Sequence, residues 1–390
     1  MAIQTFKDKP QLSRQEAGQA LDRAAENVRR NLPDFTYCCQ NHSSVNNFYP
    51  ACENNQWTCG FWPGEIWLAY ERTGDEVLKY AGLIQAESFL HRIENKIEVD
   101  HHDMGFLYSP SCVAAYKLAG SETGKKAAIL AADNLMSRFQ EKGQFFQAWG
   151  QMGAPDNYRL IIDCLLNLPL LYWATGQTGN PAYAEKATAH TQTALKHLVR
   201  PDYSTYHTHF FDPATGHPLR GVTAQGYRDG SAWARGQAWG VYGLALAYLF
   251  TKDPACIDLF YKVTDFFIDR LPKDRVPYWD LDFTDGDGEP KDSSAGAIAA
   301  CGMLEMAKHL PEDRAVYYTG VARQIAHSLA EGYAVKDGET SNGLLLHGVY
   351  AKSSPYNTVE DRGVDECNTW GDYFWLELLT RLTTDWQLYW

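Results

Sequence analysis

The chain is short of positive charge. Its 390 residues carry 35 Lys and Arg against 48 Asp and Glu, a formal net charge of −13. Nucleic acid is excluded as the expected partner, because its phosphates demand clustered Lys and Arg. The sequence also lacks any run approaching the roughly 20 apolar residues of a membrane span, so no membrane partner is expected. The opening segment, Met1 to Pro10, has no apolar core of signal-peptide length. There is no G-x-S-x-G elbow for a serine hydrolase, and no dinucleotide fingerprint follows a strand. Gly120-Ser121-Glu122-Thr123-Gly124-Lys125-Lys126 falls one residue short of a P-loop and ends in Lys instead of Ser or Thr. Of nine cysteines, Cys112, Cys164, Cys256 and Cys301 sit in apolar stretches as small buried hydrophobes. A reduced, cytoplasmic setting is the expectation.

Aromatic residues are plentiful, with 12 Trp and 23 Tyr. Amphipathic rings line sugar-binding clefts, because a pyranose face packs on the ring while its hydroxyls seek polar edges. Small and aromatic residues recur in six stretches with few charges: Phe61 to Glu71, Met104 to Leu118, Leu160 to Ala174, Ser231 to Phe250, Ser293 to Ala307 and Trp370 to Leu382. A helix that is apolar nearly all round is buried on all sides. Charged, amphipathic segments alternate with them: Arg14 to Asn31, Glu76 to Glu94, Gly124 to Glu141, Ala182 to Arg200, Pro254 to Arg270 and Glu312 to Tyr333. Turn signals such as Thr73-Gly74-Asp75 and Thr178-Gly179-Asn180-Pro181 separate the partners. Six buried helices alternating with six amphipathic ones predict an all-α fold, an (α/α)6 barrel of six helical hairpins forming one domain over residues 1–390. An open solenoid would need polar capping units and more regular repeats. The long loops Pro201 to Gly230 and Gly332 to Thr369 are expected to be functional.

Two aspartates stand out in this frame. Asp163 lies in the apolar run Ile161-Ile162-Asp163-Cys164-Leu165-Leu166-Asn167-Leu168, and Asp103 in His101-His102-Asp103-Met104-Gly105-Phe106. A carboxylate among aliphatic neighbours loses hydration, which raises its pKa and suits it to general acid work. The bland reading is a helix cap or the partner of a buried arginine. Both residues fall at the starts of inner helices, so both should face one mouth of the barrel. Paired carboxylates are the usual equipment of glycoside hydrolysis.

A second dense segment runs from Gln225 through Trp233-Ala234-Arg235-Gly236-Gln237-Ala238-Trp239. Arg235 is suited to clamp a carboxylate with two parallel hydrogen bonds, or else to stack structurally between tryptophans. His207 and His209 are loop histidines or metal ligands, but matched ligand spacing is absent elsewhere, and no metal or other cofactor is expected. The acidic loop Asp280 to Glu289 resembles a calcium loop but has Gly296 where the twelfth-position glutamate belongs. It reads as a solvated loop or helix cap.

Taken in order, Trp57-Thr58-Cys59-Gly60-Phe61-Trp62-Pro63-Gly64, His102-Asp103-Met104-Gly105-Phe106, Ile162 to Pro169, Trp233 to Trp239 and Gly363 to Phe374 resemble glycoside hydrolase family 88, the unsaturated glucuronyl hydrolases. The likeness runs from about Trp57 to the C-terminus. It implies the (α/α)6 barrel and, as substrate and partner, an unsaturated uronyl oligosaccharide left by a polysaccharide lyase from chondroitin, hyaluronan or heparin. The reaction it implies is hydration of the C4=C5 vinyl ether, releasing the unsaturated uronic acid from the non-reducing end. By the resemblance Asp163 is the general acid and base and Asp103 supports it. His207, Gln225, Trp233, Arg235 and Trp239 match positions that hold the uronate, and Trp57 and Trp149 match aromatic positions of the pocket. Some relatives hold a sulfate with serines and a lysine near the stretch that here reads His347 to Ser354, where Gly348 and Ala351 replace useful serines. Better handling of unsulfated or differently sulfated disaccharides than of 6-sulfated ones is therefore expected. A monomer or weak homo-oligomer is expected.

Three alternatives stand beside this reading. A family 105 unsaturated rhamnogalacturonyl hydrolase shares the barrel and the chemistry but takes a pectin-derived substrate. A sugar epimerase on a similar barrel would use His101, His102, His207 or His209 as acid and base. A non-catalytic carbohydrate-binding protein would not need the pair Asp103 and Asp163.

Overall fold

The computed structural model describes residues 9–336, 338 and 340–390. Six inner helices form a ring, each packed on the next, and the outer helices pack around them. The inner set comprises Phe61–Thr73, a composite second helix (Met104–Tyr108, Ser109–Val113, Ala114–Ala119), a broken third (Cys164–Asn167, Pro169–Thr178), Ala234–Thr251, Ser293–Ala307 and Thr369–Thr383. The outer set comprises Arg14–Phe35, Glu76–Glu94, Glu122–Met136, Ala182–His197, Pro254–Asp269 and Glu312–Gly332. The first outer helix packs on both the sixth and the first inner helix, which closes the (α/α)6 barrel. Arg14 seals that junction by donating from Nε and Nη2 to the carbonyl of Thr383 at 3.1 and 2.7 Å.

Local sequence explains the breaks. Pro110 and Pro169 lack an amide hydrogen, so each interrupts the ladder of an inner helix. At Pro110 the second inner helix passes through one π-helical turn, Ser109–Val113, and at Pro169 the third inner helix restarts. The helix expected from Leu160 begins instead at Cys164, because Arg159–Ile161 is extended and pairs antiparallel with Thr208–Phe211. Likewise Ser231 to Trp233 precede the fourth inner helix, Ala232 accepting from the amide of Leu281 at 2.8 Å.

Two sets of helix starts contrast. The outer helices after Ser13, Asp75, Ser121 and Asp253 begin on side chains that accept a backbone amide of the first turn. The six inner helices begin after Gly60, Asp103, Asp163, Trp233, Asp292 and Asn368, and none of these makes a side-chain cap. Three carboxylates and an amide that could cap are thereby left for the mouth of the ring. The two long loops come to the same end as short strands: Pro218–Val222 joins the sheet of Thr208–Phe211, and Gly348–Ala351 pairs with Arg362–Glu366. At the opposite end Trp390 inserts among Phe106, Tyr242, Tyr373 and Phe374, stacking on Phe374 with ring centres 5.9 Å apart.

Candidate active site

A cavity of about 580 Å³ opens at the mouth, and Asp103, Asp163, Trp57, Trp149, His207, Gln225, Trp233 and Arg235 all line it. Its remaining walls include His42, Gln56, Glu98, His102, Tyr350 and Arg362. Another cavity of about 600 Å³ lies beside Asp274, Lys291, Tyr333, His347 and Asp365. Its aspartates already have partners, Asp274 with Lys291 and Tyr333, and Asp365 with His347. The unsatisfied chemistry is in the first.

Close approach of two inner helices brings the aspartates together. A Cβ on Gly105 would lie 2.3 Å from the Cα of Asn167, so only glycine lets the second and third inner helices meet there. Asn167 then bridges them, accepting from the amide of Phe106 at 2.9 Å and donating to Asp103 Oδ1 at 3.4 Å. His102 sits between the carboxylates, its Nε2 3.3 Å from Asp103 Oδ1 and 3.4 Å from Asp163 Oδ1. Burial pushes the imidazole down to about 4, so it is neutral near pH 7. Its Nδ1 is buried without a hydrogen bond, which puts the single ring proton on Nε2, facing the two carboxyl groups.

The two aspartates diverge in acidity. Burial, reinforced by the charge of Asp103, pushes Asp163 well above the ordinary carboxylate range. Its Oδ1 is buried and makes no hydrogen bond, while 17% of the side chain stays open. Burial also pushes Asp103 upward, but His102, His101 and Asn167 together hold it below the usual value. The surroundings thus favour the neutral form of one carboxyl and the charged form of its neighbour, the division of labour that acid–base sites rely on. The raised pKa read from the apolar flanks of Asp163 is found, and the helix-cap reading is not.

Arg235 stacks between tryptophans, the second of the two readings made of it. Its guanidinium lies between Trp233 and Trp370, 4.5 and 4.6 Å from the ring centres. Nη2 donates to Gln225 Oε1 at 2.9 Å and to the carbonyls of Val349 and Tyr350. Nε is 3.5 Å from Asp292 but makes no hydrogen bond. Stacking and Nη2 fix the plane of the group, and Nη1 has no partner among the described residues. An oriented cation with a donor to spare suits a planar carboxylate.

The remaining expected residues are held by their neighbours. His207 Nδ1 accepts from the amide of Ala224 at 2.8 Å, so the neutral ring carries its proton on Nε2. Burial pushes this histidine down to about 3. Trp149 is set beside His102 by pairing of its backbone with His101, and Arg159 lies 4.3 Å over its ring. Trp57 donates from Nε1 to the Tyr350 hydroxyl at 3.0 Å and stacks on Trp370. Trp239 is the exception: it is one turn below Arg235, 1% exposed, and packs on Phe106 and Phe374 beneath the cavity. His209 points away from the cavity into a cluster with His197, Tyr206 and Phe211. Asp280, first residue of the acidic loop, is buried and accepts from Tyr227 N and Ser231 Oγ, fixing the segment beside Gln225.

His102, Asp103 and Asp163 each offer an atom within 4.8 Å of the others, the one such group among the described residues that could hold a metal ion. The charges of Arg138 and Arg159 act on His102, and that of Arg235 on Asp163. These cations disfavour a further one. No helix among the described residues is long and apolar enough to cross a membrane.

Comparison with known proteins agrees with this geometry. The chain is 47% identical over 388 residues to the unsaturated chondroitin disaccharide hydrolase of Streptococcus pneumoniae, covering 99% of this chain and 96% of that one. It superposes on the crystal structure of an unsaturated glucuronyl hydrolase from Streptococcus agalactiae with a TM-score of 0.95 at 46% identity, covering 100% of this chain and 97% of the other. A mutant of that hydrolase complexed with dGlcA-GalNAc6S matches with a TM-score of 0.87 at 43% identity, over 100% and 97% of the two chains. Residues 36–369 match the family model for Glycosyl Hydrolase Family 88, and on this evidence, with the barrel and its paired carboxyls, the chain belongs to that family.

Proposed function

We propose that this single-domain barrel is an unsaturated glucuronyl hydrolase, removing the 4,5-unsaturated uronic acid from the non-reducing end of lyase-generated glycosaminoglycan disaccharides. The observation that carries the reading is the meeting of Asp163 and Asp103 in one cavity with His102 between them, where burial raises the pKa of the first and its neighbours lower that of the second. The substrate double bond is a vinyl ether, polarised by the ring oxygen. Asp163 delivers its proton to C4, and the positive charge that develops at C5 is shared with the ring oxygen. The carboxylate left on Asp163 then takes a proton from a water that attacks C5. The hemiketal formed at C5 opens to a ketone, the ring oxygen leaves as the C1 hydroxyl, and the C1 hemiacetal releases the second sugar. Asp103 stays ionised throughout and stabilises the cation, with His102 fixing the spacing of the two carboxyls. Because the anomeric carbon is never attacked, the separation of the carboxyls does not set a stereochemical outcome.

The uronate carboxylate is assigned to Arg235, and its ring to Trp233, His207 and Gln225. Trp149 and Trp57 serve the ring and the adjoining sugar, while Trp239 supports them from below. An epimerase is less well served: His101 Nε2 faces the carbonyl of Glu98, and His207 Nδ1 is taken by Ala224. Chondroitin-type disaccharides are the first substrates to try, given the 47% identical relative. Of the stretch from His347 to Ser354, Tyr350 lines this cavity and His347 the other, which supports weak handling of a 6-sulfate. A cytoplasmic location is supported by nine cysteines without a disulfide. A monomer or weak homo-oligomer is the state proposed. The test is loss of the substrate's ultraviolet absorbance on unsaturated disaccharides from chondroitin, hyaluronan, heparin and pectin. Loss on a glucuronyl substrate supports the reading; loss on the pectin-derived sugar alone, or on none, overturns it.

A further inference from the structure

Behind one wall of the cavity lies a cluster of thiols that sugar hydration does not use. Cys39 and Cys52 stand directly opposite each other in the antiparallel pair Cys39–Gln40 and Ala51–Cys52, which sets their Cα atoms about 4.5–5.5 Å apart. Cys59 comes just before the first inner helix, and its Sγ lies 3.6 Å from the carbonyl of Glu53, the neighbour of Cys52. Cys39 and Cys59 are sealed, at 0% and 1% exposure, whereas Cys52 keeps part of its surface open. Arg92 is buried beside them, and its hydrogen bonds go to neutral oxygens: the carbonyls of Gln56, Ile97 and Glu98 and Asn54 Oδ1, at 2.7 to 3.1 Å. Its charge is therefore left to act on the sulfurs. Hydrogen bonding from Cys39 and Cys52, and then Arg92, hold Cys59 well below the usual thiol range despite its burial. Cys59 in return pushes the other two up, so they stay protonated. A thiolate beside a cation, with a protonated thiol at hand, is the arrangement of a redox-responsive pair.

The segments that carry these thiols also build the cavity wall. Gln56 Oε1 accepts from the amide of His42 and its Nε2 donates to Asn41 Oδ1, both at 2.9 Å. His42, Gln56 and Trp57 line the cavity, and the charge of Cys59 reaches His42. A disulfide needs its sulfurs about 2.05 Å apart, closer than two thiols in contact, so forming one draws Cys59 toward the strand pair. On the helix side the chain cannot follow: a Cβ on Gly60 would lie 2.2 Å from the carbonyl oxygen of Phe106, which shows how tightly that backbone is seated. The pull is passed instead to Trp57 and Gln56.

We propose that Cys52 and Cys59 are a modification site, joined into a reversible disulfide by a hydroperoxide, and that this bond displaces Trp57 and weakens sugar binding. The Cys59 thiolate attacks one peroxide oxygen, the O–O bond breaks and hydroxide leaves, giving a sulfenic acid. The Cys52 thiol then attacks the Cys59 sulfur, the S–O bond breaks, and the Cys52 proton leaves with the hydroxyl group as water. The two sulfurs lose two electrons and the peroxide gains them. The experiment treats the full chain with hydrogen peroxide, maps cross-linked peptides by mass spectrometry without reductant, and measures kcat/KM on an unsaturated chondroitin disaccharide. Disaccharide binding is followed in parallel. The expected result is a Cys52–Cys59 cross-link, with kcat/KM lowered at least about tenfold through KM and restored by dithiothreitol. Cys52→Ser and Cys59→Ser keep their activity through the same treatment, and Cys39→Ser still cross-links and loses it. No cross-link, a cross-link through Cys39, an unchanged KM in the cross-linked protein, or an equal loss in Cys52→Ser overturns the proposal. Absence of turnover by the reduced enzyme counts against the hydrolase reading alone; the peptide map and the binding measurement still decide the role of the thiols.

Discussion

The two ends of the ring both bury charge and use it in opposite ways. At the C-terminal ends of the inner helices Arg381 bonds Glu305 at 2.6 Å, Glu377 at 2.9 Å and the Tyr242 hydroxyl at 2.6 Å. Trp390 donates to the other oxygen of Glu377 at 2.9 Å. At the N-terminal ends Asp163 Oδ1, His102 Nδ1, Arg235 Nε and Asp292 Oδ2 are as deeply placed and make no hydrogen bond. Depth therefore does not distinguish them; satisfaction does. A closed buried network specifies structure, whereas buried groups left short of partners cost stability and are retained where chemistry needs them.

Mutations sharpen this contrast. The largest expected effect is Asp163→Asn, which removes the acid and lowers kcat by about 10³- to 10⁴-fold. Disaccharide binding survives, and the thermal midpoint does not fall; an absorbance assay, a binding titration and a melting curve check all three. Arg381→Met at the opposite end should do the reverse. It strands Glu305 and Glu377 without their cation, costing about 3–5 kcal/mol of stability in denaturant titration, while the folded fraction keeps its kcat. A fall in kcat without a fall in stability would break the comparison.

Asp103→Asn comes next, with an expected loss of about 10²-fold and a change in the pH profile. Asp163 must be protonated to act, so activity falls as pH rises through its raised pKa. The negative charge of Asp103 helps to raise it; removing that charge moves the alkaline limb of kcat/KM to lower pH. An unmoved limb would separate the two carboxyls electrostatically. Trp149→Ala should raise KM by about three- to tenfold, as a ring contact worth about 0.5–1.5 kcal/mol is lost. Trp239→Phe, below the cavity floor, should leave KM within about twofold by that same scale.

How much of this was readable beforehand depends on the range of the interaction. The twelve helices were legible because inner and outer segments differ in composition over many residues. Asp163 was legible because its apolar flanks are adjacent in sequence. The run Leu160-Ile161-Ile162 was misjudged as helical, since a short apolar segment fits a buried strand equally well and its partner, Thr208–Phe211, lies far along the chain. Trp239 was carried to the uronate by resemblance, although its spacing from Arg235 places it one turn farther into the ring. Tyr350, Arg362, His42 and Gln56 gave no signal of their own. They reach the cavity through loops whose meeting depends on the whole ring.

Closure of the ring carries a last consequence for synthesis. The clamp on Arg235 needs Trp233 from just before the fourth inner helix, Trp370 from the sixth and the carbonyl of Tyr350. The seam between Arg14 and Thr383 joins positions 369 apart. On the ribosome, the nascent chain can pair its early helices into hairpins, but the seat of Arg235 has no opposing wall until the sixth inner helix emerges. Catalytic competence therefore arrives in one step, when the sixth inner helix closes the ring, and the appearance of activity is itself a reporter that the ring has shut.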